Sequence, residues 1–544
     1  LIFEQARESE VAALAEAKSI FLDVGGRFRR SPEWGAAVFL PSPPGTAGWS
    51  VAGILEILSM RSCQSKAESM IRRRHFLLGS AALASLGASR PALLWADEAN
   101  AEASQGKPVM LRPTTTELYR VRMEMAIQGN IHLAENELVS KQRSRQVPID
   151  YQSVLDYEER LYRSNDQEVV GARRYYHEAS SEGKTGGTPN QIELRKSARQ
   201  VATHLGKGHS VTYALQSYLT HEELDLLEIP VNSLAVDGVL PAQPLAVGEP
   251  FTVNQQALQR MLDLDGLQAS DVSGKLVAVE NQAARLELQG TVQGSVAGVP
   301  TVIDLAGKLT FDLQQRTCTW VAMAIRERRE IGKAEPGFEV AATVKMIRKP
   351  LQETVAVDGV PLADKPRADR LLVNLYSPSG RYGVLLDRRW QMITQTPNLS
   401  TMRMVESDRD IAQCDIRRLP SLKPGQQLTM EALQSDVQRS LGTQFSEFLK
   451  AVEETNSSQL RIIRIHALGA VEGVPVQWVF AHCSDDQGGR LLATFTMAAE
   501  NVETFAGADE QFVQSLRFLE LPSPQTAPSE QSAQLKATET NSQR

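Results

Sequence analysis

The sequence predicts an α+β fold: an N-terminal curved antiparallel β-sheet, half-barrel-like and carrying a few helices, then a smaller sheet sandwiched between helices. Three stretches carry this reading. Leu286, Leu288, Gly290 and Val292, then Ile303, Leu305, Gly307, Leu309, Phe311 and Leu313, alternate with mostly polar residues. Period-2 alternation sets one face on a core and leaves the other wet, as in an antiparallel sheet. Thr429–Glu454 places Leu433, Val437, Leu441, Phe445, Phe448, Leu449 and Val452 near 3.6-residue spacing, which predicts one long amphipathic helix. Within Val474–Phe480 only Gln477 is polar, the pattern of a strand covered on both faces.

Composition bounds the function. The 544 residues leave room for two ordinary cores once unstructured segments are set aside. Net charge is −7 and the pI about 5.8, so no basic field is offered and no nucleic-acid partner is expected. The four cysteines, Cys63, Cys318, Cys414 and Cys483, form no CxxC pair. A disulfide-dense scaffold and any CxxC zinc or redox site are both excluded, and no cofactor or metal is expected. Outside the segment described next, no apolar run reaches the length of a membrane helix, so no transmembrane span is expected in the mature chain.

Residues 1–69 have mixed composition and a Pro/Gly-rich stretch from Leu40 to Trp49. They read as an upstream extension, either an over-long reading of the gene start, with Met60 or Met70 as the true start, or a disordered leader. From Met70 a positive region (Arg72, Arg73, Arg74) precedes an apolar Ala/Gly-rich run, Phe76–Gly87, and then small residues. That is the anatomy of an export signal over residues 70–101, with Ala101 or Ala96 as the cleavage position. Arg73-Arg74-His75-Phe76-Leu77 resembles the R-R-x-F-L core of a bacterial twin-arginine signal, with Arg72 and Leu78 where that family usually has Ser and Lys. The resemblance implies that Arg73, Arg74, Phe76 and Leu77 are read by the twin-arginine export machinery. The mature protein would then reside in the periplasm or at the outer face of the cell envelope.

Residues 109–350 form the β-rich domain. Strands are predicted within Tyr119–Arg122, Val154–Tyr162 and Val169–Tyr176, and from Val272 to Lys349. Ser180–Pro189 reads as a flexible loop. Thr220 and Glu223 form a capping box opening a short helix, and Asn254 caps a second, whose apolar face is Leu258, Met261 and Leu262. Val296-Ala-Gly-Val299 is a hairpin turn. The phrase Ala235-Val-Asp-Gly-Val239 recurs at Ala356–Val360 and, as Ala-Val-Glu-Gly-Val, at Ala470–Val474; all three read as turns. Residues 351–369 are a linker.

Residues 370–520 form the second domain, with strands at Leu371–Tyr376, Tyr382–Leu386, Trp390–Thr394, Thr401–Val405, Ile411–Arg417, Leu460–Leu468, Val474–Cys483 and Leu491–Met497. Arg388-Arg389-Trp390, the Thr429–Glu454 helix, Gly489-Arg490-Leu491 and Ser515-Leu516-Arg517-Phe518 follow one another in an order that resembles the PsbP/DcrB-like α/β/α sandwich. That resemblance implies an accessory or binding module without a shared catalytic motif. Residues 521–544, rich in Ser, Thr, Gln and Pro, read as a disordered tail.

Candidate chemistries are thin. His204 and His209 flank Gly206-Lys207-Gly208 without a third metal ligand at recognisable spacing. Ser377-Pro378-Ser379-Gly380 lacks the first glycine of a nucleophile elbow. His466, His482 and Cys483 sit on neighbouring strands with Cys414 in reach, where a Cys–His pair or a Cys414–Cys483 disulfide is conceivable beside the plainer reading of core cysteines. Two functional classes stay open. One is a non-enzymatic exported envelope protein with a binding or assembly role, its ligand an apolar small molecule or lipid, or its partner another envelope protein. The other is a secreted hydrolase-like enzyme with a site that the sequence does not reveal.

Overall fold

The computed structural model describes residues 107–519, apart from 115, 135–143, 207–209, 355, 358 and 364. The described residues all belong to one compact unit. Arg73, Arg74, Phe76, Leu77, Ala96, Ala101 and His209 lie outside the described residues.

The first part is built from β1 (Leu118–Ala134), β2 (Ser144–Arg163), β3 (Val169–Thr185), β4 (Thr188–Glu193), β5 (Gln200–Leu205) and β6 (Ser210–Ala214). Helix α1 (His221–Leu227), β7 (Pro250–Thr252), helix α2 (Gln255–Leu262) and β8 (Gly266–Ser270) follow. The meander β9 (Ser273–Glu280), β10 (Ala283–Val296), β11 (Val299–Asp312), β12 (Thr317–Arg329) and β13 (Gly337–Pro350) completes it. All thirteen strands join one antiparallel sheet in the order β6-β5-β3-β2-β1-β13-β12-β11-β10-β9-β7, with β4 on β3 and β8 on β10. The period-2 residues of β10 to β13 face inward, as their alternation requires. Both helix starts follow their caps: Thr220 and Glu223 close a reciprocal capping box, and Asn254 accepts from the N–H of Ala257 at 3.0 Å. Ala297 (φ +53) and Gly298 (φ +81) reverse the chain between β10 and β11, the positive-φ pair of a tight hairpin.

Ser180–Pro189, expected as a loop, is instead the end of β3 and its turn into β4, with Gly186 and Gly187 at the turn. Its small residues serve close packing. A Cβ on Gly183 would lie 2.1 Å from Cγ of Tyr151, and the hydroxyl of Ser153 donates to that of buried Ser181 at 3.0 Å.

The sheet curls on itself. Asp263, the left-handed C-cap of α2, accepts from the N–H of Ser210 on β6 at 2.8 Å. Two residues on, Asp265 donates its N–H to the carbonyl of Ser295 on β10 at 3.0 Å. In the sheet order β6 and β10 stand eight steps apart, about 38 Å on a flat sheet. Two residues of chain reach about 7 Å. The two ends of the sheet therefore face each other across α2.

The second part has a three-stranded sheet, β14 (Val373–Ser377), β15 (Tyr382–Leu386) and the closing strand β23 (Arg517–Phe518). Beside it lies a seven-stranded sheet of β16 (Trp390–Gln395), β17 (Leu399–Glu406), β18 (Arg409–Arg418), β19 (Phe445–Thr455), β20 (Arg461–Val471), β21 (Val474–Ser484) and β22 (Arg490–Ala498). Its order is β16-β17-β18-β22-β21-β20-β19. Helix α3 (Met430–Leu441) packs Leu433, Val437 and Leu441 with Ile463, Ile465 and Phe480 on one face. Helices α4 (Val502–Phe505) and α5 (Ala508–Ser515) cover the other, where Phe505 and Phe512 meet the ring of Phe495. From Val476 on, β21 is buried along its whole length, as its apolar run predicts.

The long helix over Thr429–Glu454 is corrected. Thr429 does cap a helix, but the helix ends at Gly442 (φ +53), and Phe445–Thr455 is strand β19. Two bulges lie in that strand, at Phe445/Glu447 and Phe448/Lys450. Each inserts one residue, so Phe445, Phe448 and Ala451, which oppose Gly469, Ala467 and Ile465 on one face, recur every third residue. A twice-bulged strand thus imitates helical spacing. In the Ala235–Val239 phrase, Val236–Val239 is a 3-10 turn with Val236 and Val239 buried, and Glu472 and Gly473 form the β20–β21 hairpin turn.

The two parts touch along several contacts. One apolar cluster includes residues of both, from Val121 and Met346 to Val384, Trp390 and Phe495. Asp408, in the β17–β18 turn, accepts from the N–H groups of Lys333 and Ala334 at 2.8 Å each, and Arg388 donates to the carbonyl of Thr212 at 2.6 Å. The connecting segment lies against β2 and β3: the Tyr162 hydroxyl donates to the Val360 carbonyl at 2.6 Å. The fold is sheet-rich α+β. Among the described residues no helix is long and apolar enough to cross a membrane.

Candidate binding site inside the curled sheet

The chain between β6 and β8 supplies what fills the curled sheet. Leu224, Leu226, Leu227, Ile229, Val231 and Leu234 are buried there, as are Leu258, Met261 and Leu262 of α2. Apolar packing holds most of this segment. Two arginines hold the rest, and both converge on Ser233.

Arg174 on β3 stands opposite Glu159 on β2. Its Nε lies 3.2 Å from Glu159 Oε2, and its Nη2 donates to Asn232 Oδ1 and to the Ser233 hydroxyl, both at 3.1 Å. The guanidinium sits 4.9 Å over the ring of Tyr157, whose hydroxyl donates to Ser233 Oγ at 3.0 Å. Ser233 in turn donates to Glu159 Oε2 at 2.8 Å. Arg348 on β13 donates from Nη1 to the Ser233 carbonyl at 3.1 Å, from Nε to the Cys318 carbonyl at 3.2 Å, and from Nη2 to the Thr317 hydroxyl at 2.7 Å. Nη2 also pairs with Asp237, and the guanidinium lies 4.5 Å over Tyr119. Glu159 is 0% exposed and Arg348 1%. Buried charges persist only when paired and hydrogen-bonded, so these groups fix the Asn232–Asp237 segment in place.

What remains open is small. At the mouth near the C-terminal end of α2, a cavity of about 100 Å³ is lined by Ile127, Leu262, Leu264, Val296, Ile303 and Val340. Asp225, Glu228, Glu327 and Arg329 stand around it, and Arg329 also lies over the ring of Phe338. That volume holds about three waters and is below the size of an ordinary small-molecule site. At the other end of α2 a shallow groove of about 480 Å³ is lined by Arg112, Arg163, Glu168, Asp237, Asn254 and Arg260.

The other candidates from sequence do not assemble. Cys318, Cys414 and Cys483 are free and buried. Burial pushes the Cys318 and Cys483 thiols up to about 12 and Cys414 well above its ordinary range, so none is a thiolate at neutral pH. The Cys414–Cys483 disulfide is not formed. Cys414 sits opposite Phe495 and Cys483 opposite Leu491, on the two sides of β22 and four residues apart along it, beyond the roughly 7 Å a disulfide spans. His466 and His482 face opposite sides of their sheet: His466 opposes Val479, and His482 opposes Ile463 of the α3 face. His466 Nε2 lies 3.5 Å from Asp509, which Arg464 also holds at 2.7 Å. That cluster ties α5 to β20. His204 stacks on Tyr213, with Nε2 3.2 Å from its hydroxyl, and burial lowers its pKa. Among the described residues no group of three or more His, Cys, Asp or Glu is placed to hold a metal ion.

Sequence reading missed the paired arginines because each falls on a strand among other charges. Its one available signal was Asp237, a lone carboxylate inside the apolar run Leu234–Leu240.

No family model matches the chain, and no curated protein matches it. Among solved structures, cyanobacterial PsbP from Synechocystis is similar at 15% identity over 30% of this chain and 98% of that one, with a TM-score of 0.23. A protein of unknown function from Pseudomonas aeruginosa, described as a putative regulator, is 12% identical over 28% of this chain and 99% of that one, at 0.20. Lipovitellin is 8% identical over 50% of this chain and 30% of its own length, at 0.27. A Bacteroides thetaiotaomicron structure is covered over 48% of its length. Likenesses at these identities and scores carry no statement of function for this chain.

Proposed function

We propose that this chain is a non-enzymatic, exported protein of the cell envelope that binds an apolar small ligand or the end of a lipid chain at the mouth of its curled sheet. The observation that carries the reading is the cavity beside α2, whose floor is aliphatic and whose charges stand at the rim. Its volume of about 100 Å³ admits a very small apolar molecule or the end of a chain. Support for binding over hydrolysis comes from the buried polar groups inside the curled sheet: the Arg174 and Arg348 guanidiniums are engaged by Glu159, Ser233, Asp237 and Thr317. In this reading the second part is a PsbP/DcrB-like accessory module. The supporting feature is the seven-stranded sheet with helices on both faces, beside a small sheet in which Arg517 and Phe518 pair with β15.

Two experiments test it. Val296→Trp should fill the cavity and abolish binding of a fluorescent fatty acid that the parent chain takes up, with the melting temperature nearly unchanged. A parent chain that neither takes up such a probe nor carries a lipid by native mass spectrometry would refute the apolar ligand. Export is tested separately. Replacing Arg73 and Arg74 with lysine should trap precursor in the cytoplasm, and N-terminal sequencing of the exported parent should begin at Glu102 or Asp97. Unimpaired export of the twin-lysine variant would rule out the twin-arginine machinery as partner.

A further inference from the structure

Four arginines line one groove of about 520 Å³ beside the three-stranded sheet. Arg381 follows Gly380 in the turn between β14 and β15, Arg418 ends β18, Arg490 opens β22 and Arg517 lies on β23. The single carboxylate lining the groove is Asp485. Its Oδ1 is committed to the N–H groups of Gln487 and Gly489, at 3.0 and 2.6 Å. Arg490 gives two donors to the Pro420 carbonyl, and Arg517 gives Nη2 to Asn374 Oδ1 at 3.2 Å. Both acceptors are neutral and cancel no charge.

Arg381 and Arg418 have less still. Among the described residues neither side chain has a hydrogen-bond or ion-pair partner, and Arg381 Nε is buried without one. Burial and the nearby Arg381 charge both lower the Arg418 pKa. Arg381 also holds a left-handed backbone, φ +59, which a side chain larger than glycine adopts at a cost. Two like charges facing one groove destabilise a fold. Strain and repulsion gathered at one place mark a site shaped for something other than stability.

We propose that this groove binds the phosphoryl group of an organic anion. Guanidinium forks match phosphate oxygens in pairs, and a group bearing more than one negative charge is needed against four arginines and one engaged carboxylate. The hydroxyls of Ser421 and Ser458 add donors at the rim, while Leu460, Leu491 and Phe518 offer an apolar surface to the organic body. Free phosphorylated metabolites and phospholipid headgroups share this chemistry.

The test is calorimetric titration of the full-length chain with inorganic phosphate, with adenosine monophosphate, and with phosphatidylcholine vesicles made with and without phosphatidic acid. Heat with either soluble phosphate assigns the site to free phosphates, and binding confined to the phosphatidic acid vesicles assigns it to a headgroup. The Arg381→Gln/Arg418→Gln variant should bind about a hundredfold more weakly, roughly tenfold for each charged fork removed. Its ligand-free melting temperature should hold or rise, because a repulsion is removed. Failure of the parent chain to bind any of these probes would overturn the proposal, and so would unchanged affinity in the double variant.

Discussion

Replacing Arg174 with methionine should cost about 3–5 kcal/mol of folding stability, the usual cost of leaving a buried charge without its partner. Glu159 would keep a carboxylate that is fully excluded from water, its Oε2 supported by the Ser233 hydroxyl alone and its Oε1 by nothing. The double replacement Glu159→Leu/Arg174→Met should recover most of that loss, since a buried ion pair exchanged for packed apolar groups is often neutral or better. Urea denaturation of the parent, both single variants and the double variant gives the coupling directly. A single-variant cost below about 1 kcal/mol would show that water reaches Glu159 and that the pair is not what holds Ser233.

Acid sensitivity should follow from His482. Its ring is 1% exposed, and neither ring nitrogen has a hydrogen-bond partner. Burial, followed by the nearby Arg490 and Arg461 charges, lowers its pKa to about 4, against an ordinary value near 6.5. Between those values the unfolded chain holds a proton that the folded chain refuses, so stability rises with pH there. The contribution is intact above about 6.5 and declines as pH falls toward 4, by about 3 kcal/mol in all. His482→Leu should remove this portion of the slope while filling the same space between Ile463 and Leu492, its neighbours on β20 and β22. Denaturation midpoints of parent and variant, compared at pH 7 and pH 4.5, decide the matter. Equal slopes would mean that the ring finds a proton acceptor as the pH falls.

Local signals read true where one rule acted alone. Alternation places β10 to β13, side-chain oxygens place the starts of α1 and α2, and the Ala-Gly pair places the β10–β11 turn. They misled where two rules overlapped. In β19 the bulges convert a period of two into a period of three, so Phe445 and Phe448 look helical. In β3 one of the small residues that signal a loop, Gly183, sits where Tyr151 leaves no room for a Cβ. The site was least legible. Arg174 and Arg348 look like solvated strand residues until Asn232–Asp237 is laid across them, and that placement depends on how the sheet curls. The groove arginines come from four separate strands and turns, and no spacing in the sequence links them.

The pairing of β1 with β13 governs when the molecule can form. Tyr119 stands opposite Pro350 and Ile131 opposite Phe338, so one side of the first long strand stays bare until the thirteenth has been made. At ordinary synthesis rates of about 5–20 residues per second, that interval is on the order of ten seconds or more. For all that time a row of unsatisfied backbone groups waits at a strand edge, the surface on which chains associate wrongly. The last partner arrives later still, because Arg517 and Phe518 pair with β15. A chaperone occupying the β1 edge during synthesis should therefore raise the yield of native protein more than one acting after release.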